Sequence, residues 1–148
     1  MAPETIIALD AMGGDNAPAM VVQGADIAVE RMPDLIFKIV GDEQLLGPLI
    51  RESKYLKSSN CAVIHTDKKV EASEKPSVAL RSGKDSSMRL AIDLVANQEA
   101  HGVVSAGNTG ALMVMSKLGL RMCHGIDRPA IASFFPTLKG ESCMLDLG

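Results

Sequence analysis

The sequence predicts an α/β fold built on a mostly parallel sheet. Two observations carry that prediction. Short, β-branched apolar runs alternate with longer segments of helical period, and two glycine-rich turns each stand between the end of such a run and the start of a helix. The chain has 148 residues, 47% apolar and 22% charged, about one domain's worth of polypeptide. That composition excludes intrinsic disorder and a collagen-like architecture. The longest uninterrupted apolar run, Ala111 to Met115, is far short of the ~20 residues that cross a bilayer. The chain also opens without the basic-then-apolar pattern of a signal peptide. We therefore expect a cytoplasmic protein that is neither secreted by that route nor membrane-spanning.

The first strand is expected over Thr5–Leu9. It runs into Asp10-Ala11-Met12-Gly13-Gly14-Asp15-Asn16-Ala17-Pro18, where two glycines and three short polar side chains break every regular period. A helix follows over Ala19–Met32, with Val21, Val22, Ala25, Ala28, Val29 and Met32 at 3.6-residue spacing and Pro33 as its stop. Leu35–Val40 is the second strand, Asp42–Arg51 an imperfect helix interrupted by Gly47-Pro48, and Cys61–His65 the third strand. The charged stretch Thr66–Lys75 reads as a solvated connection. A long helix is expected over Ser86–Glu99, then a strand over Gly102–Ser105 that delivers the chain into Ala106-Gly107-Asn108-Thr109-Gly110, then a helix over Ala111–Met122. Ala130–Phe135 and Ser142–Leu147 read as an antiparallel hairpin joined by Pro136–Glu141. The last strand has no helix after it to cover a sheet face, so residues 1–148 are expected to be the N-terminal part of a larger protein.

The charges sum as 15 − 18 = −3, and there are one Tyr, three Phe and no Trp. A nucleic-acid binder would need a basic surface and stacking aromatics, so nucleic acid is not expected as a partner. The three cysteines, Cys61, Cys123 and Cys143, have no Cys-x-x-Cys pairing and read as small core residues. His65, His101 and His124 are scattered, and no metal site is expected.

Ligands of open α/β sheets collect at the carboxyl ends of strands, against helix N-termini. Two loops qualify. In Ser105-Ala106-Gly107-Asn108-Thr109-Gly110-Ala111, the glycines let backbone N–H groups turn onto an anion. Asn108 and Thr109 add donors, or serve only as a helix cap. Gly102, Gly107 and Gly110 miss the G-x-G-x-x-G spacing, and Gly83-Lys84 is followed by Asp85 rather than Ser or Thr, so neither NAD nor ATP has motif support. In Arg81-Ser82-Gly83-Lys84-Asp85-Ser86-Ser87-Met88, Ser86 suits an N-cap, and Arg81 and Lys84 suit either a solvated helix start or a bound phosphate. Asp10, Gly13, Gly14, Asp15 and Asn16 of the first loop are further substrate-side candidates. Asp10, Asp15 and Asn16 suit positioning a substrate, ligating a magnesium ion or holding the loop by Asx-turns. The two carboxylates would repel phosphate unless a cation stands between them, which favours an organising role beside the anion over contact with it.

These segments, with Arg128-Pro129-Ala130 and Leu145-Asp146-Leu147-Gly148, stand in the order and spacing of the PlsX-type phosphate acyltransferases, which the chain resembles over essentially its whole length. The resemblance implies a bacterial enzyme of phospholipid synthesis that moves a fatty acyl group from acyl carrier protein to inorganic phosphate, giving acyl phosphate. It also implies a homodimer without cofactor, in an α/β/α sandwich similar to the isocitrate and isopropylmalate dehydrogenases. Peripheral membrane association near a glycerol-phosphate acyltransferase, which uses the product, is part of the same expectation. About the second half of a family member is expected to be missing.

On this reading no covalent protein nucleophile is needed, because phosphate is itself an anion near pH 7. Lys84 and Asn108 become the catalytic candidates, and Arg81, Ser86, Ser105, Gly107, Thr109 and Gly110 the phosphate-side ones. Exposed Lys54, Lys57, Lys68 and Lys69 are candidates for docking the acidic carrier protein. The competing readings are a phosphotransacetylase-like enzyme acting on acyl-CoA, a nicotinamide-dependent dehydrogenase on the same scaffold, and an inactive anion-binding fragment.

Overall fold

A computed structural model describes residues 4–147; the expected chain end at Gly148 lies outside them. Eleven elements follow in the order β1 (Thr5–Asp10), α1 (Ala19–Arg31), β2 (Leu35–Gly41), α2 (Glu43–Glu52), β3 (Cys61–His65), α3 (Pro76–Ser82), α4 (Ser87–Ala96), β4 (Gly102–Ser105), α5 (Thr109–Gly119), β5 (Ala132–Thr137) and β6 (Gly140–Leu145). The first four strands form one sheet in the order β3-β2-β1-β4. All its pairings are parallel, as the alternation of strands and helices predicts.

The period-two alternation of β1 and β2 sorts their side chains to two faces. Leu9, Phe37 and Ile39 pack with Val22, Ala25 and Val29 of α1 and Leu46 of α2. Ala8 and Val40 pack with Ala91 and Leu94 of α4. Helices therefore cover both faces. A third cluster joins Ala79 of α3, Met88 and Ile92 of α4, and Ala111 and Met115 of α5. On the α1 side, β4 is left partly uncovered. Val104 is 56% exposed and lines an apolar groove of about 440 Å³ with Met20, Met32 and Phe37.

Several boundaries differ from the sequence expectation. The helix expected to reach Glu99 stops at Ala96, with Asn97 as its C-cap. The N–H of Glu99 bonds the Leu94 carbonyl and that of Gln98 the Val95 carbonyl, while Gln98 takes φ 62°. This is a Schellman closure with Gln where Gly is usual, so no glycine marks the end. Asp42 is the cap of α2 rather than its first residue, and the helix runs through Pro48 without interruption. The helix after the second glycine loop is Thr109–Gly119, ending three residues earlier than expected. The connection after β3 is not uniformly solvated, since Thr66 and Val70 are buried. Beyond it lies α3, which the sequence reading did not separate, opened by Pro76 in the first turn where a missing N–H costs nothing.

The hairpin is antiparallel as expected but shifted. Thr137 pairs with Gly140, so the turn is Leu138-Lys139 rather than a six-residue loop. Pro136 sits inside β5, tolerated because both strands of a two-stranded ribbon are edges. Of the cysteines, only Cys61 is partly buried, and burial pushes its thiol up to about 11. Cys123 and Cys143 are exposed, which corrects their reading as core residues.

Candidate functional site

β1 has β2 on one side and β4 on the other. The chain winds outward from β1 through β2 and β3, then crosses back to place β4 on the opposite edge. That reversal is the topological switch point, and ligands of open parallel sheets bind in the crevice outside the carboxyl ends of the two strands flanking it. A cavity of about 640 Å³ lies there. Met12, Gly14 and Asp15 from the loop after β1 form one side, Ala106 to Gly110 after β4 another, and Lys69, Val70, Glu71 and Ala72 the third.

Asn108 builds two of these walls at once. Its Oδ1 accepts from the N–H of Ala111 at 3.0 Å, capping α5. Its Nδ2 reaches the carbonyls of Glu74 at 2.7 Å, Ala72 at 3.1 Å and Glu71 at 3.3 Å. Both ends of the amide are thus engaged with backbone. The N–H groups of Asn108, Thr109 and Gly110 make no hydrogen bond among the described residues. Together they leave the positive end of an 11-residue helix at the cavity. Gly110 also allows close packing, because a Cβ there would stand 2.8 Å from Pro76 Cγ of α3.

Asp10, at the end of β1, is 1% exposed. Its carboxylate accepts from Ser87 Oγ at 2.5 Å, Ser105 Oγ at 2.6 Å and the Met12 N–H at 3.3 Å. Ser105 Oγ in turn accepts from the N–H of Gly107 at 3.1 Å. The two glycine loops meet directly above this network. A Cβ on Gly13 would lie 2.5 Å from Asp10 Oδ2 and 2.9 Å from Gly107 N, and one on Gly107 would lie 3.2 Å from Gly13 Cα. Gly14 has φ 105°, a backbone state that side chains other than glycine's rarely adopt.

The structure thus brings Gly14, Asp15, Gly107, Asn108, Thr109 and Gly110 to the cavity lining, with Asp10, Gly13 and Ser105 packed beneath it. It places the remaining candidates elsewhere. Asn16 is exposed and outside the lining. Ser86 is fully buried, caps α4 by accepting from the N–H of Arg89, and donates to the Gly83 carbonyl at 2.7 Å. Arg81 and Lys84 are exposed and do not line the cavity. The turn that carries Lys84 is nevertheless tied to the segment that leads from β3 into the wall. Thr66 Oγ1 donates to the Asp85 carbonyl at 2.7 Å, and the N–H of Ser87 donates to the Lys68 carbonyl at 2.9 Å.

Two residues were missed by sequence reading as parts of this site. Ser87 stood next to the more obvious cap Ser86. Lys69 is the positive side chain of the lining, paired with Glu71 at 3.3 Å, and lay in a charge-rich stretch that resembles any solvated face. Lys68 is engaged by Asp85 at 2.9 Å, which through that hydrogen bond and charge raises the Lys68 pKa and lowers that of Asp85. Arg128 pairs with Asp146 at 3.4 Å against a separate groove beside α5. Two of the three histidines serve the backbone: His101 Nδ1 accepts from the N–H of Ile6 and His65 Nδ1 from that of Glu43.

Residues 5–148 match the family described as Fatty acid synthesis protein. The chain belongs to this family. Among its curated relatives, the phosphate acyltransferase of Rhodospirillum centenum is 60% identical over 148 residues, all of this chain and 41% of that protein. The phosphate acyltransferase of Rhodospirillum rubrum is 53% identical, again over the whole chain and 42% of the relative. That of Paramagnetospirillum magneticum is 51% identical over the same shares. The chain spans about two-fifths of the length of these relatives. The resemblance to the PlsX-type phosphate acyltransferases drawn from the loop motifs is thereby borne out. Of the motifs that carried the resemblance, the two glycine loops converge on the crevice at the switch point.

Proposed function

We propose that the protein to which this chain belongs transfers a fatty acyl group from acyl carrier protein to inorganic phosphate, with phosphate held at the start of α5. The observation that carries this reading is the cavity at the switch point. There three N–H groups without a protein partner among the described residues, those of Asn108, Thr109 and Gly110, stand at a helix N-terminus in a chain whose relatives are named phosphate acyltransferase. Phosphate is already a competent oxygen nucleophile, and the thiolate expelled from a thioester has a parent pKa near ~8.5. The protein's task is therefore to bring two anionic partners together and to stabilise the developing oxyanion.

The phosphate-binding role falls mainly on backbone. Gly107 donates its N–H to Ser105 and not to the ligand, and Asn108 acts through the wall it ties down. Thr109, exposed at the first position of α5, is the side-chain donor that remains. Lys84, with Arg81 beside it on the preceding turn, is proposed to offset the phosphate charge. Lys84 has no ion pair among the described residues, whereas Lys69 must first leave Glu71. In the full-length protein Lys84→Ala is expected to lower kcat/KM for phosphate by roughly 10- to 100-fold, the loss of one charge-assisted contact. If that variant keeps its phosphate dependence while Lys69→Ala loses it, the charge-offsetting role moves to Lys69.

The donor is tested in the same assay. Acyl phosphate formed from acyl carrier protein thioesters and not from acyl-CoA supports this reading, and the reverse preference supports the phosphotransacetylase-like one. A dehydrogenase-like α/β/α arrangement of the whole protein, a homodimer and a cytoplasmic site with peripheral membrane association belong to the same proposal. The parallel sheet with helices on both faces supports the first of these. Among the described residues no helix is long and apolar enough to cross a membrane.

A further inference from the structure

We infer that the buried Asp10 carboxylate is a positioning residue that acts on bound phosphate through Ser105 and the Gly107 amide, without touching the ligand. Three elements end at this one side chain: β1 supplies it, α4 begins at Ser87, and β4 ends at Ser105. Both hydroxyls spend their proton on it, at 2.5 and 2.6 Å. Because the Ser105 O–H donates to Asp10 Oδ2, the lone pairs of its Oγ are turned outward to accept the Gly107 N–H at 3.1 Å. That bond fixes the peptide just before the three N–H groups at the cavity. Without that bond the Ala106–Gly107 peptide is free to rotate about the soft dihedrals on either side of it, which shifts the Gly107 Cα and with it the Asn108 amide that follows.

The fit of the two loops enforces the same arrangement. Gly13 lies so close to Asp10 Oδ2 and Gly107 N that even a methyl group is excluded. The loop after β1 thus acts as a lid on the hydrogen-bonded network and shields it from competing water. Such a network is worth most when every member is satisfied. No described buried side-chain polar atom lacks a partner.

This inference rests on the phosphate reading above, and the test separates the two by measuring binding as well as turnover. Ser105→Ala and Ser87→Ala each remove one hydroxyl from the same carboxylate, but only Ser105 holds the Gly107 amide. In the full-length protein, titrated with inorganic phosphate in a calorimeter, Ser105→Ala is expected to weaken the phosphate Kd by about 10-fold or more. Ser87→Ala should weaken it by a smaller factor, about 2- to 5-fold, at a comparable loss of thermal stability. In the acyl-transfer assay the KM for phosphate should follow the same order, with the KM for the acyl donor unmoved. Equal effects of the two variants on the phosphate Kd, or a loss of stability with that Kd unchanged, would make the network purely structural and overturn the inference. A protein that binds phosphate in this Ser105-dependent way but forms no acyl phosphate keeps the inference and discards the activity. One that binds no phosphate discards both.

Discussion

Asn108→Asp in the full-length protein is expected to lower kcat/KM for phosphate by about 100-fold or more while leaving α5 capped. Aspartate is as good an N-cap as asparagine, so the bond from Ala111 N–H to the side chain at 108 survives. The three donations from Nδ2 to the carbonyls of Glu71, Ala72 and Glu74 are lost. In their place a carboxylate faces carbonyl oxygens and adds negative charge beside the proposed anion. One hundredfold corresponds to about 2.7 kcal/mol of lost transition-state stabilisation, within reach of several broken hydrogen bonds at about 0.5–1.5 kcal/mol each plus like-charge repulsion. Asn108→Ala removes the cap as well and should cost more stability but less phosphate efficiency, because it introduces no charge. Steady-state kinetics at varied phosphate, with thermal unfolding of the same samples, check both statements. Unaltered phosphate kinetics in Asn108→Asp would show that the wall is not required.

The second large effect is expected at Gly13. A methyl group there meets Asp10 Oδ2 at 2.5 Å and the backbone nitrogen of Gly107 at 2.9 Å. Neither neighbour is the free end of a flexible side chain. Gly13→Ala must therefore part the two loops and loosen Asp10 from Ser105, an overpacking strain of about 1–3 kcal/mol compounded by a weakened buried hydrogen bond. We expect a lower denaturant midpoint with an unchanged slope and a phosphate KM raised at least 10-fold. Gly24, where an added Cβ meets nothing within 4 Å, is the control: Gly24→Ala should leave stability unchanged or raise it slightly by favouring helix.

How much of this was legible in the sequence follows from the range of the interactions involved. The strands β1 to β4 and the helices α1, α2, α4 and α5 were readable because period and punctuation are local. Ser86 as the cap of α4 and Asn108 as a candidate cap are also local patterns. The end of α4 was hidden because Gln98 performs a left-handed closure usually left to glycine. The hairpin register was misplaced because Pro136 reads as a turn residue when its strand is an edge on both sides.

The site was legible as two loops and no further. That those loops touch depends on β4 crossing back to lie beside β1, and strand order leaves no local mark. The contact of Asn108 with the Glu71–Glu74 segment spans more than thirty residues of sequence. It turned a stretch that looked like a solvated connection into a cavity wall carrying Lys69. Asp10 was recognised as a loop residue of interest, but its two serine partners are 77 and 95 residues away. Only the fold reveals that it organises the anion loop from below.

An inorganic oxyanion is proposed to sit on the backbone amides that open α5. A crystal structure of the full-length protein with orthophosphate tests it most directly. The account predicts phosphate oxygens within hydrogen-bonding distance of the Asn108, Thr109 and Gly110 nitrogens, with the Gly107 amide still turned to Ser105. Phosphate bound elsewhere, with those three amides satisfied by protein groups, would contradict it.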